Sequence, residues 1–126
     1  MEDIDFSDAF CRFVQVQLPS VDAAELLLVV LNEPDVAWQA KAAVERLPAG
    51  VNLTEADAAK HLQAFQAAGL LDSTLRYRPA TPELGGFVET LAKAYEERPV
   101  TLIRLIYALR DRKIRSFADA FKLRRD

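Results

Sequence analysis

Proline and glycine divide this sequence into segments of helical length, and that punctuation limits the fold more than any other feature. The chain of 126 residues contains six Pro and four Gly. The main breaks fall at Pro19, Pro34, Pro48, Gly50, Gly69, Pro79 and Pro99. Neither residue is favoured inside a helix, and the segments between the breaks are rich in Ala, Leu, Glu, Gln and Arg, which favour helix. The sequence therefore predicts a mainly α-helical chain of several short helices.

Polar residues stand where helices are expected to begin. Ser20, Thr54 and Thr81 have side chains that cap a helix N-terminus, and Asp35 is a further candidate cap. With these starts, the sequence predicts helices over residues 21–32, 36–47, 54–68 and 81–97, followed by a buried helix over 100–112. The Phe-rich N-terminal segment is expected to form a short helix that docks on the others.

Residues 70–78 break the helical pattern. Two short extended pieces flank the polar turn Asp72-Ser73-Thr74, and Pro79 closes the segment. Extended runs on either side of a polar turn are typical of two paired strands. We therefore expect a small β-hairpin at this place.

The predicted order of helix, helix, helix, strand, turn and strand over residues 20–79 resembles the winged helix-turn-helix superfamily. The likeness is greatest to the multiple-antibiotic-resistance (MarR) and phenolic-acid (PadR) types of bacterial transcription regulator. It implies a mainly α fold with a small β-hairpin, in which the third helix enters the major groove of DNA, the hairpin forms the wing and terminal helices dimerise. The expected organisation is a single domain over residues 1–126, with an N-terminal docking segment (1–19), a winged-helix core (20–79) and C-terminal helices (80–126).

The third predicted helix offers few side chains for binding DNA. Thr54 at its start, and Lys60 and Gln63 opposite the expected buried face, are the candidates. The helix has no Arg to bind guanine. Its acidic residues, Glu55 and Asp57, lie at the end that would approach the phosphates, where they are unfavourable.

Two arginines in the predicted wing are better candidates. Arg76 and Arg78 are two residues apart, which places them on one face of a strand, from which they can reach the DNA backbone or minor groove. The alternative is that both are solvated surface residues without a ligand.

Charge is distributed unequally along the chain. Residues 1–75 carry 4 basic and 12 acidic side chains, a net charge of −8, whereas residues 76–126 carry 12 and 7, a net charge of +5. The acidic part contains the helix that is expected to read DNA. This is opposite to the basic footprint typical of DNA-binding proteins.

The C-terminal segment combines basic residues with an apolar stripe of Ile114, Phe117 and Phe121. The basic residues are Arg110, Arg112, Lys113, Arg115, Lys122, Arg124 and Arg125. The stripe suits docking on a partner protein or a second copy of the chain, or closing the protein's own core, and the charges suit nucleic acid, anionic membrane or an acidic protein.

Two functions therefore stay open. The leading prediction, favoured by the resemblance, is a dimeric DNA-binding transcription regulator. The charge distribution favours a non-catalytic interaction module whose basic C-terminal helix docks an acidic or membrane-associated partner.

Catalysis is not indicated by the residues present. Cys11 is the only cysteine and His61 the only histidine, so one chain forms neither a disulfide nor a cluster of His and Cys metal ligands. No cofactor, metal or catalytic site is expected. A Cys11–His61 nucleophile pair stays open, although a cysteine beside Phe10 and Phe13 is typical of packing.

The chain is expected to be cytoplasmic. Its N-terminus begins with acidic residues, unlike a secretory signal. Its apolar stretches are far below the roughly 20 residues that a transmembrane helix needs.

Overall fold

The computed structural model describes residues 6–111. Six α-helices occur within them: α1 (Asp8–Gln17), α2 (Val21–Asn32), α3 (Ala40–Glu45), α4 (Glu55–Ala67), α5 (Pro82–Glu97) and α6 (Pro99–Asp111). The helices predicted over residues 21–32, 54–68, 81–97 and 100–112 are confirmed to within one residue at each end. The described part of the chain is therefore mainly helical, as the proline and glycine breaks predict.

Side-chain hydroxyls cap the helices as the sequence predicts. Ser20, Thr54 and Thr81 each accept a hydrogen bond from the backbone N–H three residues later, at 3.1, 3.0 and 3.1 Å respectively. Ser7 does the same for α1, at 3.0 Å. Each hydroxyl satisfies one N–H that would otherwise lack a partner at a helix start, which fixes where these four helices begin.

Helix α2 lies at the centre of the hydrophobic core. Leu26, Leu27 and Val30 are completely buried, and α2 contacts both α3 and α4, which also pack on each other. Because α2 is apolar on nearly all sides, it needs neighbours on several sides.

Helix α1 packs on α5 through phenylalanine rings. The ring centroids of Phe13 and Phe87 are 5.2 Å apart, and those of Phe10 and Phe87 are 6.4 Å apart. Phe6 extends the cluster, 5.2 Å from Phe10. These tilted ring pairs connect the first helix to Phe87 of α5, more than 70 residues away in the sequence.

Helix α3 is shorter than predicted. The sequence predicts a helix from Val36 capped by Asp35, but α3 begins at Ala40. The prediction of this start is wrong because residues 36–38 are drawn into the tertiary structure: the Trp38 side chain is buried, and its backbone N–H donates to the Leu75 carbonyl at 3.3 Å.

The predicted winged helix-turn-helix core with its small β-hairpin is not seen. Residues 6–111 contain no β-strand, and only one antiparallel bridge, between Leu71 and Tyr77, joins the two sides of the segment expected to form the wing. The connection between α3 and α4 spans residues 46–54. It is longer than the turn of three or four residues typical of a helix-turn-helix.

The hairpin fails to form for a local reason. Backbone N–H groups of residues 74 and 76 donate to the side chain of Asp72, at 2.9 and 3.0 Å. Leu75 adopts a positive φ of 65°, and its N–H donates to the Asp72 carbonyl at 2.9 Å. The chain therefore turns tightly between Asp72 and Arg76, and backbone hydrogen bonds from Asp72 to Arg76 and from Arg78 to Leu70 flank the turn. Pairing stays limited to one bridge because α4 ends just before this segment and Pro79, which has no N–H, follows it.

A pair of glycine substitutions tests the close packing where α4 ends. Gly69 and Gly50 both have positive φ values, +89° and +96°, but a Cβ on Gly69 would lie 3.3 Å from Ala80 Cβ and from Leu84 Cδ1, whereas Gly50 has open space around it. Gly50→Ala is expected to lower the free energy of unfolding by about 1–2 kcal/mol, for backbone strain alone. Gly69→Ala is expected to cost about 1 kcal/mol more, because Ala80 must also move. Urea unfolding of both variants checks this, and equal losses would contradict it.

Candidate functional site

Helix α4 has one side on the core and the other in solvent. Ala58, Leu62 and Phe65 are buried against neighbouring helices. Lys60 and Gln63 are exposed and three residues apart, so they are neighbours on the helix surface. The two side chains predicted to contact DNA bases are thus accessible together.

The start of α4 is less suited to DNA. Thr54 Oγ1 accepts the Asp57 N–H, so this predicted DNA contact serves as the helix cap. Glu55 and Asp57 are exposed in the first turn, where negative charge stabilises the positive end of the helix dipole. The same carboxylates repel phosphates that approach this end.

Residues 70–78, here called the arginine loop, are organised by the carboxylate of Asp72. Its Oδ1 accepts hydrogen bonds from the Thr74 hydroxyl at 2.7 Å and from the backbone N–H groups of Thr74 and Arg76. These hydrogen bonds hold the pKa of Asp72 far below its ordinary value of 3.8, and the bond from the Thr74 hydroxyl has the largest effect. Asp72 is therefore ionised at neutral pH and keeps the loop closed.

Arg76 is engaged within the arginine loop. Its Nε donates to Thr74 Oγ1 at 3.0 Å and lies 3.4 Å from Asp72 Oδ2. The neighbouring carboxylate offsets the charge that Arg76 would offer to a phosphate.

Arg78 connects the arginine loop to the segment that follows α2. One terminal nitrogen of its guanidinium donates to the carbonyl oxygens of Pro34 and Tyr77, both at 2.7 Å, and the other donates to Asp35 Oδ1 at 3.1 Å. Pro34 and Asp35 are more than 40 residues away in the sequence. Arg78 thus joins two parts of the fold.

The sequence prediction placed Arg76 and Arg78 on one strand face, and that placement is wrong. The described residues contain no strand there, and the two side chains bind different parts of the protein. The polar turn Asp72-Ser73-Thr74 that the sequence predicts is present, closed by the side chain of Asp72. No local signal points to the contact of Arg78 with Pro34, because the two are brought together only by folding.

Trp38 is a core anchor. The side chain is 2% exposed, and the Arg46 guanidinium lies over its ring at 5.5 Å from the centroid. Arg46 also forms an ion pair with Glu33. The buried indole Nε1 lacks a hydrogen-bond partner among the described residues.

His61 and Cys11 have unrelated packing roles. His61 is half-buried in α4 and stacks on Phe65 with ring centroids 6.4 Å apart. Burial lowers its pKa from the ordinary 6.5, although the carboxylates of Asp57 and Asp22 act in the opposite direction. Cys11 is buried in α1, with Sγ 4.0 Å from the Phe6 carbonyl oxygen. Nothing in these contacts supports a nucleophile pair.

Helix α6 has apolar side chains on two faces. Leu102, Ile106 and Leu109 are buried in the core. On the outer side, Val100 is 60% and Tyr107 44% exposed. Ile103, half-buried, lies between them on the same side of the helix.

A shallow groove of about 260 Å³ lies between α1 and α5. It is lined by Ala9, Arg12, Phe13, Val16, Gln17, Glu83 and Phe87. Val16 is the most exposed large apolar side chain among the described residues, at 67%.

The predicted interaction residues Ile114, Phe117 and Phe121 lie outside the described residues. Within residues 6–111 no three His, Cys, Asp or Glu side chains come together in a way that could hold a metal ion. No single helix of that range is long and apolar enough to cross a membrane. Helices α1 and α2 have the length and composition of a membrane span only when taken together, and they are bent by 100° at the break between them.

Comparisons of the chain with protein-family models, with curated proteins and with solved structures found no match.

A pair of arginine substitutions separates the structural roles of Arg76 and Arg78. Arg78→Ala is expected to lower the free energy of unfolding by about 1 kcal/mol, because it removes hydrogen bonds between distant segments, at a side chain that is partly exposed. Arg76→Ala, whose contacts stay within the loop, is expected to cost less than about 0.5 kcal/mol. Urea unfolding measures both losses. An Arg78→Ala loss no larger than that of Arg76→Ala would rule out the bridging role.

The lowered pKa of His61 predicts a pH dependence of stability. The folded protein binds fewer protons at His61 than the unfolded chain, so the neutral ring contributes its full stability above pH 6.5. That contribution is lost as the pH falls from 6.5 through the lower pKa of the folded state. His61→Gln is expected to flatten the free energy of unfolding over this range.

Unfolding by urea at a series of pH values measures how the free energy of unfolding changes with pH. Burial, and to a lesser degree Asp22, raises the pKa of Glu25. Its contribution to the free energy of unfolding therefore falls as the pH rises above 4.5, opposite to that of His61. Glu25 is present in both proteins, so the difference between wild type and His61→Gln isolates the histidine. If the free energies of unfolding of wild type and His61→Gln differ by the same amount at every pH, the lowered pKa of His61 is contradicted.

Proposed function

We propose that this protein is a non-catalytic interaction module that binds an acidic protein surface through its basic C-terminal residues. The contact of Arg78 with Pro34 and Asp35 weighs against a DNA-binding wing. The observation that carries the proposal is the run of basic residues between Arg110 and Arg125. The arginines that a DNA-binding wing would need have structural roles within the fold. The basic residues of the sequence are most concentrated elsewhere, between Arg110 and Arg125.

The charge distribution supports this type of partner. Seven basic and three acidic residues fall between positions 110 and 126, within a protein whose net charge is −3. A local basic segment on an acidic protein attracts an acidic surface to that segment, while the acidic remainder of the protein repels it. Helix α4, with acidic Glu55 and Asp57 in its first turn, does not add to a basic footprint.

DNA binding by a dimeric regulator is the second candidate. It is favoured by the exposure of Lys60 and Gln63 on one side of α4. These side chains can approach base edges only if the acidic first turn is kept away from the phosphates. The two candidates therefore differ in which residues contact the ligand: α4 for DNA, the C-terminal basic residues for a protein.

Two variants of the full chain test the proposal. The first replaces Lys60 and Gln63 with Glu, and the second replaces Lys122, Arg124 and Arg125 with Glu. Fluorescence anisotropy measures binding to a labelled oligo-glutamate peptide and to a random DNA duplex at low and at moderate salt. Wild-type protein is expected to bind oligo-glutamate with an affinity that falls with salt, and the C-terminal variant is expected to lose this binding.

The α4 variant is the matched control. It is expected to bind both probes as the wild type does, because any attraction of the basic segment for DNA is independent of sequence and of α4. Loss of duplex binding in the α4 variant, with oligo-glutamate binding absent, would contradict the proposal and favour the regulator. Binding to phosphatidylserine vesicles without binding to oligo-glutamate would contradict it in favour of a membrane surface.

A further inference from the structure

We draw no further inference here: the strongest candidate, the shallow groove between α1 and α5 that Val16 and Phe87 line, is an open and partly apolar surface, and nothing in the described part of the chain shows what covers it.

Discussion

The contact between the segment that follows α2 and the loop that follows α4 determines most of what is unexpected in this structure. It has two components, the Trp38 N–H bonded to the Leu75 carbonyl and the Arg78 guanidinium bonded to Pro34 and Asp35. Because the chain is not helical at Trp38, α3 begins only at Ala40. Because Arg78 is held by the same segment, it is not presented on a wing.

This contact changes the functional interpretation as well as the fold. The resemblance to winged helix-turn-helix regulators depends on a hairpin whose arginines approach DNA. In the described residues that segment is a tight turn closed by Asp72, and its arginines bind the protein itself. Lys60 and Gln63 stay accessible, so DNA binding keeps some support, but from two side chains beside an acidic helix start.

The remaining surface features lie at the other end of the chain. Helix α6 exposes Val100 together with Arg104 on the side away from the core. The sequence beyond it adds a concentration of positive charge. The concentration of positive charge supports recognition of an acidic partner.

The sequence by itself determined where most helices begin and end, since Ser20, Thr54 and Thr81 satisfy backbone groups only three residues away. It also determined which face of α4 is buried, because Leu62 and Phe65 follow the helical period. Local rules suffice wherever the interacting atoms are close in sequence. Only the tertiary structure decided that residues 36–38 stay outside the helix and that Arg78 is a bridge between segments. Those outcomes depend on hydrogen bonds between groups about 40 residues apart, which no local pattern records.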